Sequence, residues 1–144
     1  LMQAGLRFLE DRSNARWSQR LSSSTDQPSA KAVLVSLFEE ALPIDQEARD
    51  FHLLWTSYAM LAMTDPDIPD RTFVEGPNRL QQRLCEILAR GKVAGDFDKD
   101  IDVEHEAAVL LGLIHGLGTA VLVGQQTGDA ALQHLKFHLE KLGP

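Results

Sequence analysis

An all-α fold, a helical bundle of about five to six helices, is the architecture this sequence predicts. In every long segment the apolar residues recur three and four positions apart, the period of an amphipathic helix. No stretch alternates apolar and polar residues as a half-buried strand does. The breaks between periodic segments are short and rich in Ser, Pro, Gly and Asp, which suits helix–helix connections within one bundle. With 144 residues, 44% of them hydrophobic, the chain can bury a core of its own as a single domain over 1–144.

Met2–Leu21 reads as a helix. Met2, Leu6, Leu9, Trp17 and Leu21 share a stripe, and Arg12, Arg16 and Arg20 run along one flank at i, i+4 spacing. A solvated charged face is expected of that flank. Ser22–Ser29 is a loop by composition. Ala30–Leu42 is a second helix, with Leu34, Leu37, Phe38 and Ala41 inward and Pro43 as its stop. Asp45 can cap the next helix, which runs to Thr64 with Glu47 in its first turn. Its main stripe is Phe51, Trp55, Tyr58 and Ala62. Leu53 and Met60 lie on the far side, so packing on two sides is expected. Thr64–Asp70 is a turn with two prolines. A short helix over Arg71–Glu75 then precedes Gly76–Pro77, and Pro77 suits the first turn of a helix reaching Arg90. Leu80, Leu84, Ile87 and Leu88 face inward there, with Gly91 or Gly95 as the stop.

Lys92–Asp102 is an acidic connector whose last residue can cap the stretch around which the chain is organised, Val103–Gly124. That stretch has no charge after Glu106. Val103, Ala107, Leu110, Ile114, Leu117 and Val121 form one broad face, and Ala108, Gly112, Gly116 and Thr119 form a face of small residues roughly opposite. A helix apolar on both sides needs a partner on both, and each mid-helix glycine costs about 1 kcal/mol relative to alanine. Close approach of a second copy of the chain over the small face offsets that cost. The alternative is a helix buried wholly within one protomer. The stretch nears membrane-span length, but His115, the glycines and the acidic start read as a buried soluble helix, with no membrane partner. Asp129 opens a last helix to Leu142, striped by Ala131, Leu132, Leu135, Leu139 and Leu142, with Phe137 pointing away.

The formal net charge of −7 argues against a nucleic-acid grip by this chain, because phosphate contacts need a basic footprint. One cysteine allows no intrachain disulfide and no Cys-based zinc cage, and it suits a reducing cytoplasm. No catalytic constellation is present, so an enzyme is not expected. There is no GxSxG motif, and Cys85 has no positive sequence neighbour to make a thiolate. His134 and His138 share i, i+4 spacing without an HExxH-like carboxylate, which reads as a surface pair rather than a metal site. Gly112 and Gly116 sit in a helix and not in a strand-to-helix loop, so no nucleotide or other cofactor is indicated. What remains is a concentration of aromatics. Phe51, Trp55, Tyr58 and Phe73 are either core or the walls of a pocket. Arg83 flanks its helix's apolar stripe, placed to edge a pocket and pair with an anion. His115, at the seam between the large and small faces, is either a satisfied core histidine or a polar group reaching into a cavity.

Leu34–Pro43 (LVSLFEEALP), followed by an aromatic helix ending in Thr64-Asp65-Pro66, resembles the C-terminal regulatory domain of TetR-type transcriptional regulators. So does Leu80–Asp102, a leucine-rich helix leading to Gly-Asp-Phe-Asp-x-Asp-x-Asp where the family usually has Gly-x-(aliphatic)-x-x-Asp. Ala107–Leu117 (AAVLLGLIHGL) is the nearest match, with His115 at a position often acidic in relatives. The resemblance covers the chain from about Lys31 to Leu142, and its motifs are loose.

It implies a homodimer joined through the last two helices, with Ala108, Gly112, Gly116, Thr119, Leu132, Leu135 and Leu139 at the interface. It also implies a small-molecule inducer pocket, walled here by Trp55, Tyr58, Phe73, Leu84 and Ile114 with Arg83 and His115 as polar candidates. Residues 1–22 would link this body to an N-terminal helix-turn-helix absent from the chain, so DNA is an expected partner only through that headpiece. The function implied is the regulatory domain of a TetR-like regulator, expected to act as a repressor. The alternative is an all-α interaction module with no small-molecule site.

Overall fold

The computed structural model describes the backbone of residues 2–22, 28–65, 67 and 72–144, with side chains described from residue 4 and, after the break at 68–71, from residue 74. The described residues form helices and connecting turns: α1 (Met2–Ser22), α2 (Ala30–Ala41), α3 (Gln46–Thr64), α4 (Thr72–Ala94), α5 (Val103–Leu122) and α6 (Gly128–Glu140). The all-α expectation holds.

Local chemistry sets most of the boundaries. Ser29 Oγ accepts from Ala32 N at 3.2 Å, Asp45 Oδ1 from Ala48 N at 2.8 Å and Asp102 Oδ1 from His105 N at 3.1 Å, so each caps the helix that follows it. The cap of α6 is Thr127, whose Oγ1 accepts from Ala130 N at 3.1 Å. Asp129 lies instead in the first turn, where its charge still complements the helix dipole. Gly95 and Gly124 take φ of +83° and +81°, left-handed conformations that end α4 and α5.

The break expected at Gly76–Pro77 does not occur. Helix α4 runs through Pro77, which lacks the N–H for its rung and whose ring crowds the carbonyl four residues back. Tertiary contacts hold the helix across that lost rung: Arg79 Nε and Nη2 donate to Glu10 Oε1 and Oε2 on α1 at 2.7 and 2.6 Å.

Helices α4, α5 and α6 lie side by side, and α2 packs against α1, α4 and α6. Phe38, Leu34, Leu84, Leu88, Leu110, Ile114, Leu135 and Leu139 meet in the centre, each no more than 1% exposed. The acidic connector is a structural lock. Phe97 enters the core, Asp96 Oδ2 accepts from Ala30 N at 3.0 Å, and Asp98 N donates to Leu142 O at 2.8 Å, tying the chain's end to the α4–α5 turn.

Two expectations fail here. Helix α3 is not packed on both sides within the protomer, since Leu53 and Met60 are 49% and 57% exposed. It is an outer helix, and Phe51 and Trp55 of its aromatic stripe are half-buried where they border a cavity. The arginine row of α1 is not a solvated face either. Arg16 Nε donates to Glu40 Oε2 at 3.1 Å and Arg20 Nε to Glu40 Oε1 at 2.9 Å. Arg20 also meets Glu39 of α2 at 2.6 Å, and both Arg12 and Arg16 pair with Glu47 of α3. The spacing placed the three guanidinium groups on one flank; only the fold set three carboxylates opposite them.

Candidate functional site

A cavity of about 550 Å³ lies between α1 and the helices α2 to α5, a size typical of small-molecule sites. Helix α3 contributes Phe51, His52 and Trp55, all half-buried, and α5 contributes Ile114 and His115. The Trp55 and His115 rings stack at 5.0 Å between centroids and 22° between planes. His115 therefore lies at the cavity wall. Burial, reinforced by neighbouring His52, pushes its pKa down and favours the neutral imidazole. His52 Nε2 bonds the carbonyl of Ala41, where α2 ends, and burial likewise pushes its pKa down against that bond. With Nε2 donating to the carbonyl, neutral His52 keeps Nδ1 as an acceptor. The Gly118 Cα brings backbone against this ring: a Cβ there would stand 3.2 Å from Nδ1.

The remaining walls come from α1, α2 and α4. Helix α1 supplies Glu10, Asn14 and Trp17; α2 supplies Leu37 and Glu40; α4 supplies Arg79, Leu80 and Arg83. Arg83 Nη1 donates to Asn14 Oδ1 at 2.7 Å, and its guanidinium sits 5.0 Å from the centre of the Trp17 ring. Trp17 Nε1 is buried and has no hydrogen-bond partner among the described residues.

Of the expected pocket residues, Trp55, Arg83, Ile114 and His115 line one cavity. Leu84 does not: it is fully buried in the core. Tyr58 is half-buried on α3 but outside the lining, and the side chain of Phe73 lies outside the described residues. The wall formed by α1 was not read from the sequence. Trp17 belongs to the apolar stripe of α1, and Glu40 has no assignment from periodicity; neither carries a local signal that separates cavity from core.

The expected interface residues divide as well. Ala108, Gly112, Gly116 and Thr119 are exposed, and a Cβ added at either glycine would meet nothing within 4 Å. Leu132 is half-buried. Leu135 and Leu139 are 0% and 1% exposed, filled against the protomer's own core, and retain no surface for a partner. The stripe of α6 had to face one neighbour, and that neighbour is internal.

Elsewhere His138 Nε2 lies 3.2 Å from Glu106 Oε2 while His134 is exposed, so the two imidazoles do not converge. Burial first, then the carboxylates of Glu104, Asp102 and Glu86, push the Cys85 thiol up, away from a reactive thiolate.

Residues 30–144 match the family model described as the C-terminal part of BetI-type transcriptional repressors. Among solved structures, the fold is similar to a chain described as a TetR-family transcriptional regulator from Rhodococcus sp., with a TM-score of 0.82 at 17% identity over 97% of this chain and 72% of that one. No curated protein matches the chain in sequence. The helical body and the match over 30–144 together place the chain in the TetR family of transcriptional regulators, as a C-terminal domain of the BetI type.

Proposed function

We infer that this domain senses a small organic molecule and dimerises, serving the cytoplasmic regulatory half of a repressor. The observation that carries the sensing role is the cavity of about 550 Å³, because α1 forms one wall and the other helices form the rest. A ligand there touches both sides of a joint. If it binds one placement of α1 better than another, it shifts the population between them. A DNA-reading headpiece attached before α1 would then be repositioned, and two such heads must keep a spacing of about one DNA turn.

Both tryptophans of the chain line the cavity, so intrinsic fluorescence reports occupancy directly. A metabolite library titrated into the chain is expected to give a saturable change, and Trp55→Ala should weaken the responding compound about tenfold through loss of the stacked wall. No response across a chemically broad library, or an unchanged affinity in Trp55→Ala, removes the assignment.

Dimerisation is supported by the glycines of α5. Each costs the helix about 1 kcal/mol, yet nothing among the described residues occupies the space over Gly112 or Gly116. Close approach by a second α5 explains both. Phe137 on neighbouring α6, 65% exposed, suits the rim of that contact better than Leu135 or Leu139. Light scattering at tens of micromolar should give twice the chain mass, and Gly116→Leu should return it to the single-chain value. A monomeric wild type, or a Gly116→Leu dimer, rejects this interface.

A further inference from the structure

We propose that the cavity takes an organic monocarboxylate, its head group held by Arg83 and the indole N–H of Trp17 and its apolar body lying against Trp55 and Ile114. This rests on the cavity being a ligand site, and adds the charge and chemical class of what enters it.

Charge matching among the lining residues carries the proposal. Among the described residues three carboxylates border the cavity, and each has an arginine. Glu10 holds Arg79 through two bonds at 2.7 and 2.6 Å, and Glu75 lies 3.8 Å from Arg79. Glu40 is gripped by Arg16 and Arg20. Of the cationic side chains in the lining, Arg7 pairs with Asp11 at 3.4 Å, and Arg79 is shared by Glu10 and Glu75. Arg83 differs: among the described residues its polar partner is the neutral amide oxygen of Asn14, with no carboxylate in reach. A guanidinium has five N–H donors in a planar fork suited to a carboxylate, and Asn14 engages one nitrogen.

The second, independent observation is Trp17 Nε1. It is buried without an acceptor on the same ring that Arg83 overlies. A buried, unsatisfied N–H is costly, and native structures rarely leave one without a reason. An oxygen accepting from both groups satisfies the orphan donor and neutralises the unmatched cation together. The two cavity imidazoles, driven toward their neutral forms by burial, add no further positive charge. One unmatched cation among the described lining residues therefore favours a monoanion. A dianion would leave one charge uncompensated, and a cationic ligand would find every lining carboxylate already occupied.

Three probes with one naphthyl body test this on the 144-residue chain: 2-naphthoate, its isostere 2-naphthamide and the bulkier (2-naphthylmethyl)trimethylammonium cation, titrated by tryptophan fluorescence and checked by calorimetry. 2-Naphthoate should bind about tenfold more tightly than the amide, the scale of one charge-assisted contact, and the cation should bind more weakly than either. Arg83→Gln keeps a donor for Asn14; it should erase the preference for naphthoate while leaving amide affinity within about twofold. Arg83→Lys should restore part of it. An amide that binds as tightly as naphthoate, a cation that binds best, or a preference that survives Arg83→Gln overturns the proposal and leaves the cavity reading standing. Failure of all three probes to bind wild-type chain overturns the proposal, and the cavity reading falls with it only if the broad library is silent as well.

Discussion

Gly91→Val is expected to destabilise the chain by about 3 kcal/mol, the upper end for overpacking a core. Gly91 is buried near the end of α4, and a Cβ there would lie 2.5 Å from Phe97 Cε2 and 2.6 Å from Ala30 Cβ. Neither neighbour can turn aside. The Ala30 Cβ is fixed by backbone whose N–H is bonded to Asp96, and Phe97 is 2% exposed within the core. Asp96 N also donates to Gly91 O at 2.8 Å, so the three segments meet at this one position. Gly91→Ala weighs two effects against each other. Helix propensity gains about 1 kcal/mol, while the contact costs about 2 kcal/mol, so a net loss is expected. Urea melts of the three chains check it; an alanine variant as stable as wild type would mean that α2 and the 95–98 turn can separate from α4 cheaply.

Glu40→Ala should cost about 2 kcal/mol and release α1 first. The Glu40 side chain is 2% exposed and accepts from two arginines. Breaking a fully buried pair costs roughly 3–5 kcal/mol. Arg16 and Arg20 are 28% and 40% exposed and keep Glu47 and Glu39 as partners, so solvent and the remaining carboxylates absorb part of that cost. Hydrogen exchange should quicken along residues 4–22 well before it does in α5 or α6. Uniform acceleration across all six helices would instead make Glu40 a member of the global core. If α1 alone loosens, the charge cluster is the joint across which cavity occupancy can act, because Glu40 belongs to the cluster and to the cavity wall at once.

Helix α5 shows how far periodicity reaches. Of its broad face, Ala107, Leu110, Ile114 and Val121 are buried and Val103 and Leu117 half-buried, while Ala108, Gly112, Gly116 and Thr119 of the small face are exposed, two faces that the spacing separates. Pro77 shows where it stops. A proline and a glycine side by side look like a boundary, but Pro77 sits in the second turn of α4, and its cost, about 3 kcal/mol in a helix interior, is offset by the ion pair to α1 together with the burial of Leu84, Ile87 and Leu88 further along the same helix. Four of the seven expected pocket residues line the cavity. Leu84 was misplaced for a different reason: inward on a helix means toward a core and toward a cavity alike, and only the neighbours distinguish them.

The sequence by itself determined the all-α class, most helix boundaries and the face each helix buries, because caps and a 3.6-residue period are local properties of the chain. Tertiary structure alone decided which carboxylate meets which arginine, which leucines fill the core instead of an interface, and that Trp17 and Arg83 share a cavity wall although they lie on α1 and α4. Those outcomes depend on distances between residues far apart in the chain, and such distances exist only after the helices have packed.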